Sequence, residues 1–196
     1  MSPERNSVIV DLDDTLCATK RAIIARANRT SLDTRYNYQM LRPGYVYDPH
    51  LDEIIHQTLK DPSFNPPPFI GALDGVKLLN ENGFNVYIVS SRIAKYLGEA
   101  TERWIGIRGF RPHIADLRLR PDGQRSRGFK LIIAQEVGAM AAFEDEVQAA
   151  KELASQVDHV FLIRRPWNTN FSNIDHPSIS IHPSFLRAVS TFLKEQ

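Results

Sequence analysis

Asp11-Leu12-Asp13-Asp14-Thr15 crowds carboxylates directly after the β-branched run Ser7-Val8-Ile9-Val10. Carboxylates this close repel one another unless a proton or a divalent cation separates them, so Asp11 and Asp13 are candidates to share one metal ion. Three later groups fall at the ends of apolar runs or the start of a helical one. Ser90 ends Val86-Tyr87-Ile88-Val89 and is followed by Ser91 and Arg92; Lys130 opens a helical segment after Gly128; Glu144-Asp145 ends Met140-Ala141-Ala142-Phe143. Brought together, such a set can transfer a phosphoryl group through a carboxylate nucleophile. Mg2+ would bridge enzyme and phosphate oxygens, a hydroxyl and an ammonium would bind the remaining oxygens, and a second carboxylate would manage the proton. Each piece also has a plain structural reading. Asp13, Asp14 or Thr15 could cap a helix, Ser90 could close a turn, Lys130 could be solvated, and Glu144-Asp145 could cap the helix after it.

The elements that must gather these groups read as a parallel sheet. The runs 7–12, 85–90, 139–144 and 159–163 are short, apolar and polar-ended, as buried parallel strands are. Helical patterns fill the gaps at 72–82, 95–105, 128–137 and 146–156, and another, 184–194, closes the chain. Alternating strands and helices predict a three-layer α/β/α, Rossmann-like core with a mostly parallel sheet, whose ligands bind beyond the carboxyl ends of the strands. Residues 17–70 break the alternation: a helix over 18–29, an aromatic stretch with Tyr36, Tyr38, Tyr45 and Tyr47, and a helix over 49–60. This predicts a small, mainly helical cap inserted at 17–70, with the core formed by 1–16 and 71–196. The stretch 61–68, rich in proline, suits a hinge or strut back into the core.

The ordered set Asp11/Asp13/Thr15, Ser90, Lys130 and Glu144/Asp145 resembles the haloacid dehalogenase superfamily of phosphatases. Its four motifs are an acidic D-x-D-x-T after the first strand, a strand-end Ser or Thr, a Lys, and a strand-end acidic pair. The resemblance implies Asp11 as nucleophile and Asp13 as general acid, then base. It also implies phosphate binding by Thr15, Ser90, Ser91, Arg92 and Lys130. Mg2+ would be held by Asp11, Asp13 through its carbonyl, and Asp145, with Glu144 either supporting those ligands from behind or standing in as an alternative one. The stretches 66–73 and 161–168 are similar to the 5'(3')-deoxyribonucleotidase branch of that superfamily. That likeness implies a nucleoside monophosphate substrate, with Tyr45 and Tyr47 of the cap as candidates to stack on its base.

Composition narrows the alternatives. The chain has 196 residues, 42% hydrophobic and 24% charged, with 24 basic and 23 acidic side chains for a net charge of +1. Disorder, fibrous repeats and strong overall attraction to nucleic acid are therefore excluded. No stretch approaches a membrane span, and the N-terminal residues do not read as a signal peptide. The single cysteine, Cys17, permits no intrachain disulfide and reads as a small buried hydrophobe, consistent with a cytoplasmic protein. A basic stretch, Arg118, Arg120, Arg125, Arg127 and Lys130, reads as a loop that could reach a polynucleotide backbone. A polynucleotide end phosphatase is thus the second enzymatic reading. A receiver-like phospho-acceptor or an idle binding relative is the reading outside enzymes. A small phosphorylated molecule is the expected partner.

Overall fold

A run of β-branched and apolar residues with no polar interruption suits a strand covered on both faces, and the centre of this sheet is built from such runs. The computed structural model describes residues 6–31, 34–41, 48–61, 63–124, 128–169 and 176–196. Its six strands are β1 (Ser7–Asp11), β2 (Asn85–Ile93), β3 (Asp116–Arg120), β4 (Ala139–Glu144), β5 (His159–Ile163) and β6 (Ile179–His182). They form one sheet in the order β3-β2-β1-β4-β5-β6, and every pairing is parallel. The order reverses at β1, whose neighbours β2 and β4 lead away in opposite directions. A crevice opens at such a switch point, beyond the strands' carboxyl ends.

Among the described residues seven α-helices accompany the sheet: α1 (Thr19–Thr30), α2 (Pro49–Lys60), α3 (Ala72–Glu81), α4 (Ala94–Ile107), α5 (Phe129–Glu136), α6 (Val147–Leu153) and α7 (Phe185–Phe192). The period of two along the strands divides the core into two layers. Val8, Val10, Val86, Ile88, Phe143, Phe161 and Ile163 meet α3, α4 and α7 on one face. Ile9, Val89, Ala142, Val160 and Leu162 meet α5 and α6 on the other. The first layer is the more aromatic: Phe143 stacks on Phe161 at 5.0 Å and meets Phe185 and Phe192 edge-on. Gly75 lets α3 approach α7 closely, since a Cβ there would lie 2.6 Å from the Phe185 ring.

Two strands depart from the sequence expectation. β3 falls inside the stretch read as a basic loop, so Arg118 and Arg120 lie on an edge strand. Its alternation of leucine with charged residues marks a strand covered on one face, which an apolar-run criterion overlooks. Arg118 pairs with Asp116 at 2.9 Å and Glu136 at 3.2 Å. β6, the other edge, alternates in the same way as Ile-Ser-Ile-His. Arg125 and Arg127 lie outside the described residues.

Between β1 and α3, helices α1 and α2 pack through a small cluster of their own, Ala27, Tyr36, Leu51 and Ile54. Tyr36 belongs to that cluster, Tyr38 lies 5.6 Å from the Trp167 ring, and Tyr45 and Tyr47 lie outside the described residues. Asp48 caps α2, accepting from the His50 and Leu51 amides, with Pro49 at the first helical position. The chain leaves β1 and returns to α3 side by side. Ala18 N–H donates to the Pro67 carbonyl at 3.0 Å and Phe69 N–H to the Leu16 carbonyl at 2.9 Å. Trp104 Nε1 donates to the Pro66 carbonyl at 2.8 Å, pinning the proline stretch against α4. Cys17 is fully buried in the main core.

Candidate active site

Beyond Asp11 the chain turns sharply. Asp14 adopts a left-handed conformation, φ 64°, the one described non-glycine residue with positive φ. The Leu16 amide reaches back to the Leu12 carbonyl at 3.0 Å. A short-chain acid tolerates this region better than most residues, because its side chain can bond the backbone nearby. Asp14 Oδ1 accepts from the Lys20 amide at 3.0 Å, so Asp14 does serve the start of α1. Asp13 accepts from no α1 amide among the described residues: it is held by the side chains of Thr19, Ser90 and Arg92. Glu146 caps α6, accepting from the Gln148 and Ala149 amides, which leaves Glu144 and Asp145 to other partners.

Those partners form one buried charge cluster. Lys130, in the first turn of α5, places Nζ 2.5 Å from Asp11 Oδ1 and 2.6 Å from Glu144 Oε2. Glu144 also accepts from the Asp145 and Glu146 amides. Asp145 Oδ2 accepts from Trp167 Nε1 at 2.8 Å and lies 3.5 Å from Lys20 Nζ. One carboxylate oxygen from each of Asp11, Glu144 and Asp145 falls within 4.8 Å of the others, and all three residues are buried. Burial drives the Asp11 carboxyl well above the ordinary carboxylate range. Lys130 opposes that shift, while Glu144, Asp145 and Asp13 add to it. Glu144 is raised as well, first by burial. Burial works against the charge on Lys130, yet Asp11 and Glu144 raise its affinity for the proton. Four buried acids, Asp11, Asp14, Glu144 and Asp145, face two ammoniums, Lys130 and Lys20, which leaves an excess of negative charge in a buried site. Hard carboxylate oxygens at this spacing suit a divalent cation such as Mg2+.

Asp13 sits in a different setting two residues on. The Arg92 guanidinium meets both its oxygens, Nη2 to Oδ1 at 2.7 Å and Nε to Oδ2 at 2.9 Å. Thr19 donates to Oδ1 at 2.5 Å and Ser90 to Oδ2 at 3.2 Å. Burial pushes the Asp13 carboxyl up, but the Arg92 charge and these hydrogen bonds outweigh it and hold the group below the usual carboxylate range. Ser90 Oγ in turn accepts from the Arg92 amide at 3.2 Å.

The sequence-predicted residues thus converge, though not all on open space. Asp11, Asp13, Ser90, Arg92, Lys130, Glu144 and Asp145 belong to two adjoining networks. Arg92 is engaged with Asp13, and the Ser91 carbonyl accepts from Arg120 Nε at 3.0 Å. Thr15 Oγ1 is buried and has no hydrogen-bond partner among the described residues. Lys20 and Thr19, which carry no motif, are also part of the site. Lys20 pairs with Asp14 at 3.1 Å and lies 4.2 Å above the Trp167 ring. Asn168 donates to the carbonyls of Asp145 and Ile163, and Arg165 Nε to the carbonyl of Asp14 at 2.5 Å. These bonds fix the ends of β4 and β5 and the turn after β1 relative to one another.

No family model matches the sequence, and no curated protein matches it. Solved structures do resemble it. A predicted phosphatase from Clostridium acetobutylicum superposes with TM-score 0.70 at 10% identity, over 97% of this chain and 99% of that one. D,D-heptose 1,7-bisphosphate phosphatase from B. bronchiseptica, complexed with magnesium and phosphate, gives 0.63 at 13% identity, over 97% and 99%. L-2-haloacid dehalogenase from Xanthobacter autotrophicus gives 0.59 at 8% identity, again over 97% and 99%. At such identities the likeness speaks for architecture alone: the chain has the haloacid dehalogenase fold, a parallel α/β/α sheet with its acidic cluster at the carboxyl ends of β1 and β4.

Proposed function

We propose that the protein is a Mg2+-dependent phosphomonoesterase acting on a small phosphate ester through an aspartyl-phosphate intermediate. The observation that carries this reading is the buried trio Asp11, Glu144 and Asp145, with Lys130 Nζ 2.5 Å from the Asp11 carboxylate. Asp11 attacks phosphorus and the bond to the leaving oxygen breaks; water then hydrolyses the acyl phosphate and regenerates the carboxylate. Lys130 orients Asp11 and meets the charge that builds on the phosphoryl oxygens. Asp11, Asp145 and Glu144 are the residues that would hold Mg2+, with the Asp13 carbonyl as a further ligand. The bound ion would offset their mutual repulsion and polarise the phosphate.

Asp13 is the proton carrier. Its oxygens are filled by Arg92, Thr19 and Ser90, so it stands ionised in this arrangement. When a phosphate draws Ser90 and Arg92 to itself, Asp13 can take up a proton; it gives that proton to the leaving oxygen and then accepts one from the water that attacks the aspartyl phosphate. Thr15 Oγ1, buried and without a partner among the described residues, is a further hydroxyl available to the phosphate side of the site. Residues 17–70 act as a cap, with Lys20 of α1 reaching Asp145 from it. Nucleoside monophosphates are the first substrates to try, in keeping with the deoxyribonucleotidase-like stretches at 66–73 and 161–168. The bisphosphate and phosphate in the names of the structural neighbours also favour phosphorylated small molecules.

The deciding experiment is hydrolysis of a panel of phosphate monoesters, mononucleotides included, with Mg2+ and after thorough chelation. Turnover that needs the metal and vanishes in Asp11→Asn is the expected result. Turnover indifferent to chelation, or retained in Asp11→Asn, would refute the mechanism.

A further inference from the structure

A cavity of about 300 Å3 opens between α2 and the start of α4, and Asp13 forms part of its wall. The reading of Asp13 as proton donor to the leaving oxygen requires the alcohol portion of the ester to lie on Asp13's side, and this cavity is there. What lines it then describes that alcohol. His56 and Lys60 enter from α2, Tyr96 and Leu97 from α4, and Arg120 from the end of β3.

Charge is the informative feature. Among the described residues Asp13 is the one carboxylate on the wall, and Arg92 pairs with it at 2.7 Å. Lys60 and Arg120 are left over. Lys60 Nζ lies 5.6 Å above the Tyr96 ring and has no carboxylate partner among the described residues. Among the described residues Arg120 donates only to carbonyl oxygens, Nε to Ser91 at 3.0 Å and Nη1 to Gln124. Its Nη2 has no partner among the described residues. Lys60 and Arg120, two cations with no ion-pair partner among the described residues, flank a cavity whose described acid is already paired, an arrangement that suits an anion. Tyr96, half exposed, and Leu97 supply an apolar wall beside them.

We infer that the substrate's alcohol portion carries a second phosphate, received by Lys60 and Arg120 with its organic part against Tyr96 and Leu97. This inference rests on the phosphomonoesterase reading and specifies its substrate class. The second phosphate can belong to a free nucleoside bisphosphate or to the chain behind a phosphorylated oligonucleotide end.

The test measures binding and turnover separately. Calorimetry on the Asp11→Asn protein compares adenosine 3',5'-bisphosphate with adenosine 3'- and 5'-monophosphate. The expected margin for the bisphosphate is about tenfold or more, the size of one charge-assisted hydrogen bond. Adding Lys60→Ala, or separately Arg120→Gln, should remove most of that margin. Equal binding of mono- and bisphosphate, or a margin that survives both substitutions, would overturn the inference. A 3'-phosphorylated dinucleotide in the same series separates the sources: tighter binding than the bisphosphate points to an oligonucleotide end, weaker binding to the free nucleotide. Wild-type turnover of these compounds is the independent check. If none is hydrolysed while the binding margin persists, the phosphatase reading fails and the anion site stands.

Discussion

Asp11 and Asp13 leave β1 two residues apart, yet their surroundings pull them in opposite directions. Asp11 faces one ammonium and two further buried acids, and its carboxyl is raised. Asp13 faces a guanidinium and two hydroxyls with no second acid in hydrogen-bond contact, and its carboxyl is lowered. A period of two would place both side chains on one side of an extended chain, so the sequence alone gives no reason for them to differ. The difference comes from which strands flank β1. β4 delivers Glu144 and Asp145 to the Asp11 side, while β2 delivers Ser90 and Arg92 to the Asp13 side. A switch point in the strand order is therefore also a switch in electrostatics. The negative half suits a cation, and the compensated half suits a group that exchanges protons.

The largest test of this contrast is to remove the proposed nucleophile from the negative half. Asp11→Asn should lower turnover on the order of 10,000-fold or more, because an amide does not attack phosphorus. Circular dichroism should stay native, since Lys130 keeps its bond to Glu144. Residual activity within tenfold of wild type would remove Asp11 from the mechanism.

Disturbing the compensated half should have a smaller and more selective effect. Asp13→Asn should slow alkyl phosphates by roughly 100- to 10,000-fold, the usual range for general acid–base catalysis. It should slow p-nitrophenyl phosphate much less, because that leaving group needs no proton. Arg92→Lys keeps a positive charge but loses the two-pronged contact, so it should share Asp13→Asn's selectivity in milder form. Equal losses on both ester types would mean that Asp13 has another task.

Much of this was legible in the residues, for identifiable reasons. Central strands sit under helices on both faces, so β1, β4 and β5 read as unbroken apolar runs, and their polar ends marked Asp11, Glu144 and Asp145. Edge strands are half covered, so β3 and β6 alternate and were not legible by the same criterion; Arg118 and Arg120 consequently read as loop residues. Lys20 and Thr19 carry no signal in sequence, since their partners come from a turn and from distant strand ends. The engagement of Arg92 with Asp13 was equally hidden, being a contact across 79 positions.

Metal should bind the negative half and stabilise it. A ligand at 100 times its dissociation constant contributes about 2.7 kcal/mol, and 1 kcal/mol moves Tm by roughly 2–4 °C in a chain of this size. Mg2+ titration of the chelator-stripped protein should therefore raise Tm by several degrees. Asp145→Ala should blunt the rise, whereas Arg92→Lys, on the other half, should keep it. An undiminished rise in Asp145→Ala would take Asp145 out of the metal site.

The smallest effect concerns the third acid of the run. Burial raises the Asp14 carboxyl to about 7; Lys20 opposes this, while Asp145 and Asp13 add to it. In the unfolded chain the same group titrates near an ordinary value of about 3.9. Between those values the native state holds a proton that the unfolded state has released, so stability falls as pH rises from about 4 to about 7. One fully coupled proton gives a slope of about 1.4 kcal/mol per pH unit, and the nearby Lys20 makes the real slope shallower. Asn at this position keeps the Oδ1 that accepts from the Lys20 amide at 3.0 Å, so Asp14→Asn removes the titration while leaving the turn bonded. Urea unfolding of the chelator-stripped protein at pH 5 and pH 7 should show a larger loss of stability in wild type than in Asp14→Asn. Asp11 and Glu144 titrate in both proteins and cancel in the comparison. Identical differences between the two pH values would mean that Asp14 stays ionised beside Lys20, and that the excess negative charge belongs to the Asp11 cluster alone.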